Sequence, residues 1–333
     1  MLQPLPNVSV IIPAYRQAAP LARAIESVLL QTYRDFELQV VDDSGDESLR
    51  ALVEKYAGVS YLAQPSQGPG AARNRGLELT RGRYVISLDH DDEWDASFLE
   101  RAVNAMEELN ADVVWMNFRI CGMHNRTDCL KASPAGRRLF ASQKSDSWMM
   151  TPEQARQFYL WRMAPLSNSA LLLRREKLGA GWYEKAMVAD DWLLMARLLI
   201  NPELRAGLVA TPSWTKYEDG SQHSLWSQDT GRRCVHDVTY AWQNFASAFN
   251  ISDRKKVRLY LANLHYKLAY HCFWAADNAE ARDNMRLGYR LAGITRQSLL
   301  LVVIFALRKL ARALGLPPLS SLTRASKHPV SRA

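Results

Sequence analysis

The feature that most constrains the fold of this chain is the regular alternation of strand-like and helix-like stretches over its first 120 residues. Short runs rich in β-branched residues, such as VSVII (8–12), VSYLA (59–63) and YVISL (84–88), are separated by stretches in which apolar residues recur every three or four positions. This alternation predicts a mostly parallel sheet covered by helices on both faces. Sheets of this type bind ligands at the carboxyl ends of their strands.

Polar residues follow the predicted strands at those ends. Tyr15 comes after the first strand, which we expect to stop at Pro13, and Asp42 and Asp43 come after the second. The fourth strand runs into the acidic segment 89–93. Two carboxylates about 4 Å apart repel each other by roughly 4 kcal/mol at an effective dielectric constant near 20. The acidic segment therefore needs either solvent or a cation, and oxygen ligands of this kind favour Mg²⁺ or Mn²⁺ shared with a phosphate.

The same motifs also occur in other kinds of structure. The acidic segment is also typical of a solvated turn that caps the next helix. An EF-hand is excluded, because Trp94 occupies the position that needs glycine. Gly68 and Gly70 do not form a dinucleotide-binding fingerprint and no G-K-[ST] follows them, so neither NAD nor a P-loop is indicated.

The charge of the chain is unevenly distributed. The net charge is +8, and the 50 residues from Asn284 onward carry nine Lys or Arg and no Asp or Glu. The remainder is close to neutral, which argues against a nucleic-acid-binding main domain. The four cysteines have no metal-ligand spacing and there is no signal-peptide pattern, so we expect reduced thiols and a cytoplasmic location.

Beyond residue 118 the periodicity is weaker. Residues 119–150 are expected to be irregular, and Thr151 with Gln154 predicts a capping box at the start of a helix. Further regular elements are predicted over 169–173 (strand), 190–199 (helix) and 251–315 (three helices).

The last predicted helix contains an apolar run from Leu299 to Leu307. These nine residues are far fewer than the roughly 20 needed to cross a bilayer. The run either packs against the rest of the protein or lies in the interface of an anionic membrane. The basic residues around it favour the membrane surface, through 284–333.

Four segments together resemble a family 2 glycosyltransferase with the GT-A fold. They are VSVIIPAYRQ, LLQTYRDFELQVVDDSGDES, QGPGAARNRGLELTRGRYVISLDHDDEW and MVADDWLLMARL, and they cover roughly the first 200 residues. The resemblance implies a Rossmann-like, mostly parallel sheet sandwiched by helices, with an α-helical C-terminal extension. The implied domains are a GT-A domain over 1–250 and a basic helical region over 251–333. Within the first, 1–118 would bind the nucleotide-sugar and 119–250 would supply the acceptor and catalytic half.

The resemblance also implies a nucleotide pocket. Its implied members are Pro13, Ala14, Tyr15, Asp42, Asp43, Arg73, Asn74, Asp89 and Asp91. Tyr15 and its two preceding residues would line the base and ribose, and Asp43 would accept a hydrogen bond from the base imide. Arg73 and Asn74 would lie near the pyrophosphate.

For catalysis, the resemblance implies Asp191 as the base that deprotonates the acceptor, with Asp190 beside it where the family usually has glutamate. Asp89, Asp91 and Asp92 would form the metal and sugar-nucleotide motif. The segment 214–226 resembles the mobile loop that the family closes over the diphosphate. In it Lys216, His223 and Ser224 would contact phosphate, and His223 would complete the metal shell.

The expected function is inverting, metal-dependent transfer of a sugar, with a UDP-sugar favoured as donor and a glycan or lipid-linked hydroxyl as acceptor, in cell-surface polysaccharide assembly. Peripheral attachment to the inner face of the cell membrane would suit such an acceptor. Two alternatives stay open. One is a non-catalytic nucleotide-sugar-binding protein. The other is a sugar-phosphate nucleotidyltransferase, which needs a glycine-rich loop where this chain has PAYRQAAP.

Overall fold

The structure is a computed structural model that divides into two compact units, Met1–Leu225 and Trp226–Ala333. The residues that it describes are 5–122, 125–132, 136–137, 139, 145–160, 167–186, 188–218, 228–245, 247 and 251–313.

The first unit contains eleven strands among its described residues. They are β1 (Val8–Ala14), β2 (Phe36–Asp42), β3 (Val59–Ala63), β4 (Tyr84–Ser87), β5 (Glu93–Trp94), β6 (Val113–Met116), β7 (Arg119–Gly122), β8 (Ser147–Met149), β9 (Leu171–Arg174), β10 (Ala206–Val209) and β11 (Trp214–Glu218). Eight of them form one sheet in the order β3-β2-β1-β4-β9-β6-β10-β8, and three form a small sheet in the order β5-β11-β7.

Twelve α-helices lie in the described part of the chain. Those of the first unit are α1 (Ala18–Leu29), α2 (Arg50–Val53), α3 (Pro69–Leu79), α4 (Phe98–Glu108), α5 (Cys129–Ala132), α6 (Pro152–Leu160), α7 (Arg175–Leu178) and α8 (Asp190–Leu198). Those of the second unit are α9 (Gln228–Phe245), α10 (Ile251–Trp274), α11 (Asn278–Ala292) and α12 (Arg296–Ala313). The predicted capping box is confirmed, because the Thr151 and Gln154 side chains each accept a hydrogen bond from the other's backbone N–H.

The first strand does not stop at Pro13, as the sequence predicted, but continues to Ala14. Proline is tolerated because the ladder between β1 and β4 ends at the pair Ile11–Ser87, with one further bond from the Leu88 N–H to the Ile11 carbonyl. The nitrogen of Pro13 faces this same side, beyond the end of the β4 ladder, so no ladder hydrogen bond is lost. The Ala14 carbonyl, on the other side, still accepts from the Asp43 N–H.

The sheet is mostly parallel, as predicted, but β6, the next of its strands along the chain after β4, is not the neighbour of β4. The antiparallel strand β9 pairs with β4 on one side and with β6 on the other. Because β9 runs in the opposite direction, its beginning lies at the same edge of the sheet as the end of β4. Residues 167–169, which precede β9, are thereby brought to the edge where the acidic segment begins.

The core of the first unit lies between this sheet and its helices. Every residue of β1 is buried, as expected for a central strand covered on both faces. Helix α1 covers the sheet with Leu21, Ile25 and Val28, each fully buried, and each such side chain contributes about 1.5–3 kcal/mol. Helix α3 approaches β1 closely at Gly76, where a Cβ atom would lie 2.4 Å from Cγ2 of Ile11.

The second unit is all-helical, and the three helices predicted from residue 251 are confirmed. Helices α10 and α11 are antiparallel, as the hydrogen bonds between Arg258 and the Leu291 carbonyl and between the side chains of His265 and Asn284 show. The unit begins at Trp226, so α9 belongs to it rather than to the preceding domain, whose boundary was predicted at residue 250. In the part of the chain that the structure describes, no helix combines the length and apolarity required to cross a bilayer.

Candidate active site

The side chain of Arg73 connects two groups of carboxylates that are far apart in the sequence. Its guanidinium forms ion pairs with Asp89, just after β4, and with Asp190 at 2.5 Å, the first residue of α8. Its Nε also donates to the Ser87 hydroxyl at 3.0 Å. Only 4% of the Arg73 side chain is exposed, and a buried guanidinium of this kind is stable only because both charges surround it.

The acidic segment after β4 is divided between a buried and an accessible carboxylate. Asp92 is fully buried, and its Oδ2 accepts from the Ser169 hydroxyl at 2.7 Å and lies 3.8 Å from Nζ of Lys216. The Ser169 hydroxyl also accepts a hydrogen bond from the Asp89 N–H. Asp91 is half-buried and lines a cavity of about 280 Å³ together with Arg23 and other residues.

Burial and neighbouring charges shift the pKa values of these groups in different directions. Burial, added to repulsion from Asp89 and Asp91, raises the pKa of Asp92 to about 7 in spite of the attraction of Lys216. Burial opposes ionisation of Asp89 too, but the adjacent Arg73 holds the pKa of that carboxyl below its usual range. The Asp92 carboxylate raises the pKa of Lys216, so this amine stays protonated.

Helix α8 presents Asp190 and Asp191 in its first turn. Asp190 is buried and accepts hydrogen bonds from Arg73 and from the Asn168 side chain at 3.0 Å. The half-buried Asp191 carboxylate acts electrostatically on both Arg73 and Lys216, which places it at the same carboxylate cluster. Of the two acids, Asp190 is held by protein donors, whereas Asp191 is the more accessible.

The segment before α8 is held by the side chain of Asn74. Its amide donates to the Trp182 carbonyl at 2.9 Å and accepts from the Trp182 N–H at 2.7 Å. The Trp182 indole then donates to Asn168, which donates to Asp190. The Asn74 amide therefore acts here on protein backbone, and its contact with the pyrophosphate stays a prediction.

The predicted base and ribose residues lie at the ends of β1 and β2. Tyr15 is 42% exposed. Asp42 is fully buried and accepts from the Ser44 and Leu49 N–H groups and from the Tyr61 hydroxyl at 2.7 Å, so its carboxylate supports the loop after β2.

Asp43 organises the loop that leads from β3 into α3. It accepts 2.8 Å hydrogen bonds from the Gln64 side chain and from the backbone N–H groups of Gln67 and Gly68. Gly68 has φ +98°, a value that side-chain-bearing residues rarely adopt. Bonding to the base imide would have to add to these bonds or replace one of them.

The residues present fit a divalent cation that is shared with a phosphate. Among the described residues no three His, Cys, Asp or Glu side chains converge as a complete metal site. Mg²⁺ and Mn²⁺, however, are usually held by one or two carboxylates together with substrate phosphates. Oδ1 of Asp92 is buried without a hydrogen-bond partner, and Asp91 supplies a second, more accessible carboxylate. His223 lies outside the described residues. Nε2 of His90 is also buried without a hydrogen-bond partner among the residues that the structure describes.

Several residues of this site were missed by the sequence reasoning. The side chains of residues 167–169 donate hydrogen bonds to carboxylates of the acidic segment after β4 and to Asp190 at the start of α8. Lys216, which was predicted to contact phosphate, forms an ion pair with Asp92. The sequence gives little indication of the three residues before β9, because SNS (167–169) ahead of the apolar run LLL (171–173) looks like an ordinary turn. These residues reach the site because β9 is antiparallel to β4.

A mostly parallel sheet with a carboxylate cluster after its central strand and an acidic helix start beside it is the architecture of GT-A glycosyltransferases. Residues 9–178 match the sequence family described as Glycosyl transferase family 2. The chain belongs to this family.

Individual relatives match about a third of the chain. The chain is 38% identical over 107 residues to an uncharacterized glycosyltransferase of Rickettsia felis (31% of this chain, 18% of that one). It is 34% identical over 116 residues to the UDP-Glc:alpha-D-GlcNAc-diphosphoundecaprenol beta-1,3-glucosyltransferase WfgD of Escherichia coli (34% and 46%). The matches thus span less than half the length of either relative.

Solved structures resemble the chain over most of its length. TarS of S. aureus in complex with UDP-GlcNAc has a TM-score of 0.62 at 18% identity, over 86% of this chain and 81% of that one. A mannosyltransferase of Pyrobaculum calidifontis in complex with GDP-Man and Mn²⁺ has a TM-score of 0.55 at 18% identity, over 92% and 81%. At these identities the likeness shows the shared GT-A fold.

Proposed function

We propose that this protein transfers a sugar from a nucleotide-sugar to a hydroxyl group of a glycan or lipid-linked acceptor, with inversion at the anomeric carbon and with a divalent cation. The observation that carries the proposal is the bridge made by Arg73 between Asp89 and Asp190. It holds the acidic segment after β4 beside the start of α8, so that Asp91 and Asp191 belong to one site. A donor-binding group and a base are needed together for transfer.

In this proposal Asp91 and Asp92 hold the cation. When bound with the donor, the cation neutralises charge on the leaving diphosphate. Tyr15 and Asp43 bind the base, at the ends of β1 and β2. A UDP-sugar is favoured as donor, a choice supported by the names of WfgD and of the TarS complex, whereas the archaeal relative was solved with GDP-Man.

Asp191 is proposed to accept the proton of the acceptor hydroxyl while the hydroxyl oxygen bonds to the anomeric carbon and the bond to the diphosphate breaks. One displacement from the face opposite the leaving group inverts the configuration. Asp190 is a positioning residue, because its carboxylate is occupied by Arg73 and Asn168.

The second part of the proposal is attachment to an anionic membrane surface, where a lipid-linked acceptor would be found. Its support is α12, on which six large apolar side chains are more than half exposed: Leu299, Leu300, Val302, Val303, Leu307 and Leu310. The sequence left open whether this helix packs on protein or meets a membrane. The side of it that packs on protein contains Leu301 and Phe305.

The test combines turnover and binding in three variants. With a panel of UDP-, dTDP- and GDP-sugars and Mn²⁺, Asp191→Asn should lower kcat by about 10²–10⁴-fold while leaving the dissociation constant of the nucleotide, measured by calorimetry, unchanged. Asp91→Asn should lose the part of nucleotide binding that depends on Mn²⁺. The exposed Asp283→Asn variant, which alters an acid on α11, is the control and should match the wild type.

Two results would contradict the proposal. Wild-type turnover retained in Asp191→Asn would remove Asp191 as base. Metal-dependent binding of a nucleotide-sugar with no release or transfer of sugar, even with lipid-linked and glycan acceptors added, would favour the non-catalytic binding protein instead.

A further inference from the structure

A basic groove lies within the second unit, where parts of three helices meet. It has a volume of about 800 Å³ and is lined by Arg254, Lys255 and Arg258 near the start of α10 and by Arg290 near the end of α11. Trp242 of α9 lines it as well. No acidic side chain is found among the described residues that line it. Four cations around one concave surface repel each other unless an anion lies between them.

Two of these cations have no hydrogen-bond or ion-pair partner among the described residues. Arg258 donates to the Leu291 carbonyl and Arg254 to the Ser247 carbonyl. Lys255 and Arg290, in contrast, form no hydrogen bond or ion pair with any residue that the structure describes. Their charges are therefore available to a ligand.

The charge of the second unit as a whole has the same sign. From Trp226 onward the chain carries seventeen Lys or Arg and six Asp or Glu, whereas the preceding residues carry twenty-five and twenty-eight. The basic excess thus extends beyond the tail recognised from the sequence and includes the start of α10. Such a field attracts an anionic surface over roughly 10 Å at moderate salt.

Exposed aliphatic side chains accompany this groove. Leu259, which lines it, is 44% exposed, and Ile294, which follows the lining residue Gly293, is 69% exposed. Helix α12 begins two residues later and exposes the apolar side chains named above. A nucleic acid or a free anion would satisfy the cations and leave these aliphatic groups in water.

We infer that the basic groove binds the phosphate of an anionic membrane lipid, while the exposed apolar side chains of α12 enter the boundary between headgroups and acyl chains. This inference rests on the membrane part of the proposed function and names the surface that makes the attachment. The ligand chemistry is a phosphate mono- or diester attached to hydrocarbon. The groove supplies cations for the phosphate, and Leu259 and α12 supply apolar surface for the adjoining chains. Attachment to the membrane is thus assigned to a defined pocket rather than to diffuse charge in the tail.

The experiment uses the full-length chain and flotation with vesicles of phosphatidylcholine alone or with 30% phosphatidylglycerol. Each Lys or Arg near an anionic surface strengthens partitioning about fivefold, so Lys255→Gln/Arg290→Gln should weaken binding to the anionic vesicles roughly 25-fold. The control is Lys55→Gln/Arg81→Gln, which removes the same charge from two exposed positions of the first unit and should bind like the wild type. Val303→Gln/Leu307→Gln should also lose binding, although every cation of the groove remains. Circular dichroism and thermal melting check that each variant is folded.

Calorimetry with inorganic phosphate and glycerol 3-phosphate distinguishes a lipid headgroup from a free phosphate. Anionic vesicle binding that depends on Lys255 and Arg290 and on the apolar face of α12 supports the inference. Equal loss in the groove variant and in the charge-matched control would overturn it, because net charge alone would then explain binding. Absence of vesicle binding, or binding of free phosphate alone, would overturn it too. Flotation needs no nucleotide-sugar donor, so a protein that fails to bind vesicles leaves the transferase proposal intact. A protein that shows no transferase activity but still floats with the vesicles leaves the lipid-binding inference intact.

Discussion

Replacing Arg73 by methionine should destabilise the first unit strongly, because two carboxylates would lose the cation between them. Methionine keeps most of the side-chain volume but removes the charge. At an effective dielectric constant near 20, each pair of charges about 4 Å apart gains roughly 4 kcal/mol. Much of this is offset by the cost of burying the guanidinium, of which 4% is exposed. Removing one partner of a buried pair typically costs about 3–5 kcal/mol, and we expect Arg73→Met to fall in this range.

The assay is urea denaturation of Arg73→Met, Asp190→Asn and the double variant at pH 7.5. In the double variant the charge of Asp190 is removed together with that of Arg73, so the loss of unfolding free energy should be smaller than the sum of the two single losses by about 1–3 kcal/mol. Arg75→Met, on the same helix, removes a surface ion pair with Glu78 and should cost less than about 1 kcal/mol. A loss below about 1 kcal/mol in Arg73→Met, with additive effects in the double variant, would refute the bridge.

Three further predictions follow from particular contacts. Gly76→Ala should destabilise the first unit by about 1–3 kcal/mol, measured by denaturation, because its Cβ would meet the buried Ile11. Burial lowers the pKa of His265 in the folded protein, so the neutral side chain contributes stability above the ordinary histidine pKa near 6.5, and this contribution is lost as the pH falls. The melting temperature should therefore drop between pH 7.5 and 5, and it should drop less in His265→Gln. At a pH well above 7, where Asp92 is ionised in both proteins, Lys216→Met should tighten Mn²⁺ binding, measured by the electron paramagnetic resonance of free Mn²⁺, because a cation 3.8 Å from Asp92 would be gone.

Each of these has a control and a contrary outcome. Glu78→Ala, on the exposed side of α3, should be nearly neutral, and equal losses in both glycine and glutamate variants would contradict the packing argument. A pH profile identical in His265→Gln and wild type would show that other groups titrate. Lys177→Met is matched to Lys216→Met, since Lys177 also lies 3.8 Å from a buried carboxylate and is equally exposed. Mn²⁺ affinity that changes equally in both lysine variants would point to net charge.

Local patterns in the sequence determined many of the strands and helices in both units. The strands β1 to β4, the helix at 190–198 and the three helices after residue 251 follow from periodicity, since apolar residues at a spacing of two or about 3.6 bury one face of an element. The capping box at Thr151 and Gln154 needs only residues three apart, so it too was readable. The carboxylates after β2 and β4 were found because parallel strands end at one edge. Their proposed roles come from the family resemblance.

Only the tertiary structure decided which of these residues meet. Arg73 and Asp190 are 117 positions apart, and nothing local in either segment indicates that one guanidinium joins them. Ser169 reaches Asp92 because β9 enters the sheet antiparallel between β4 and β6, a choice of pairing that depends on competition among all the strands. The two sides of α12 likewise look alike in the sequence, and the packing of Leu301 and Phe305 decides which side is covered. Sequence periodicity fixes which face of an element is apolar, whereas long-range packing selects its neighbour.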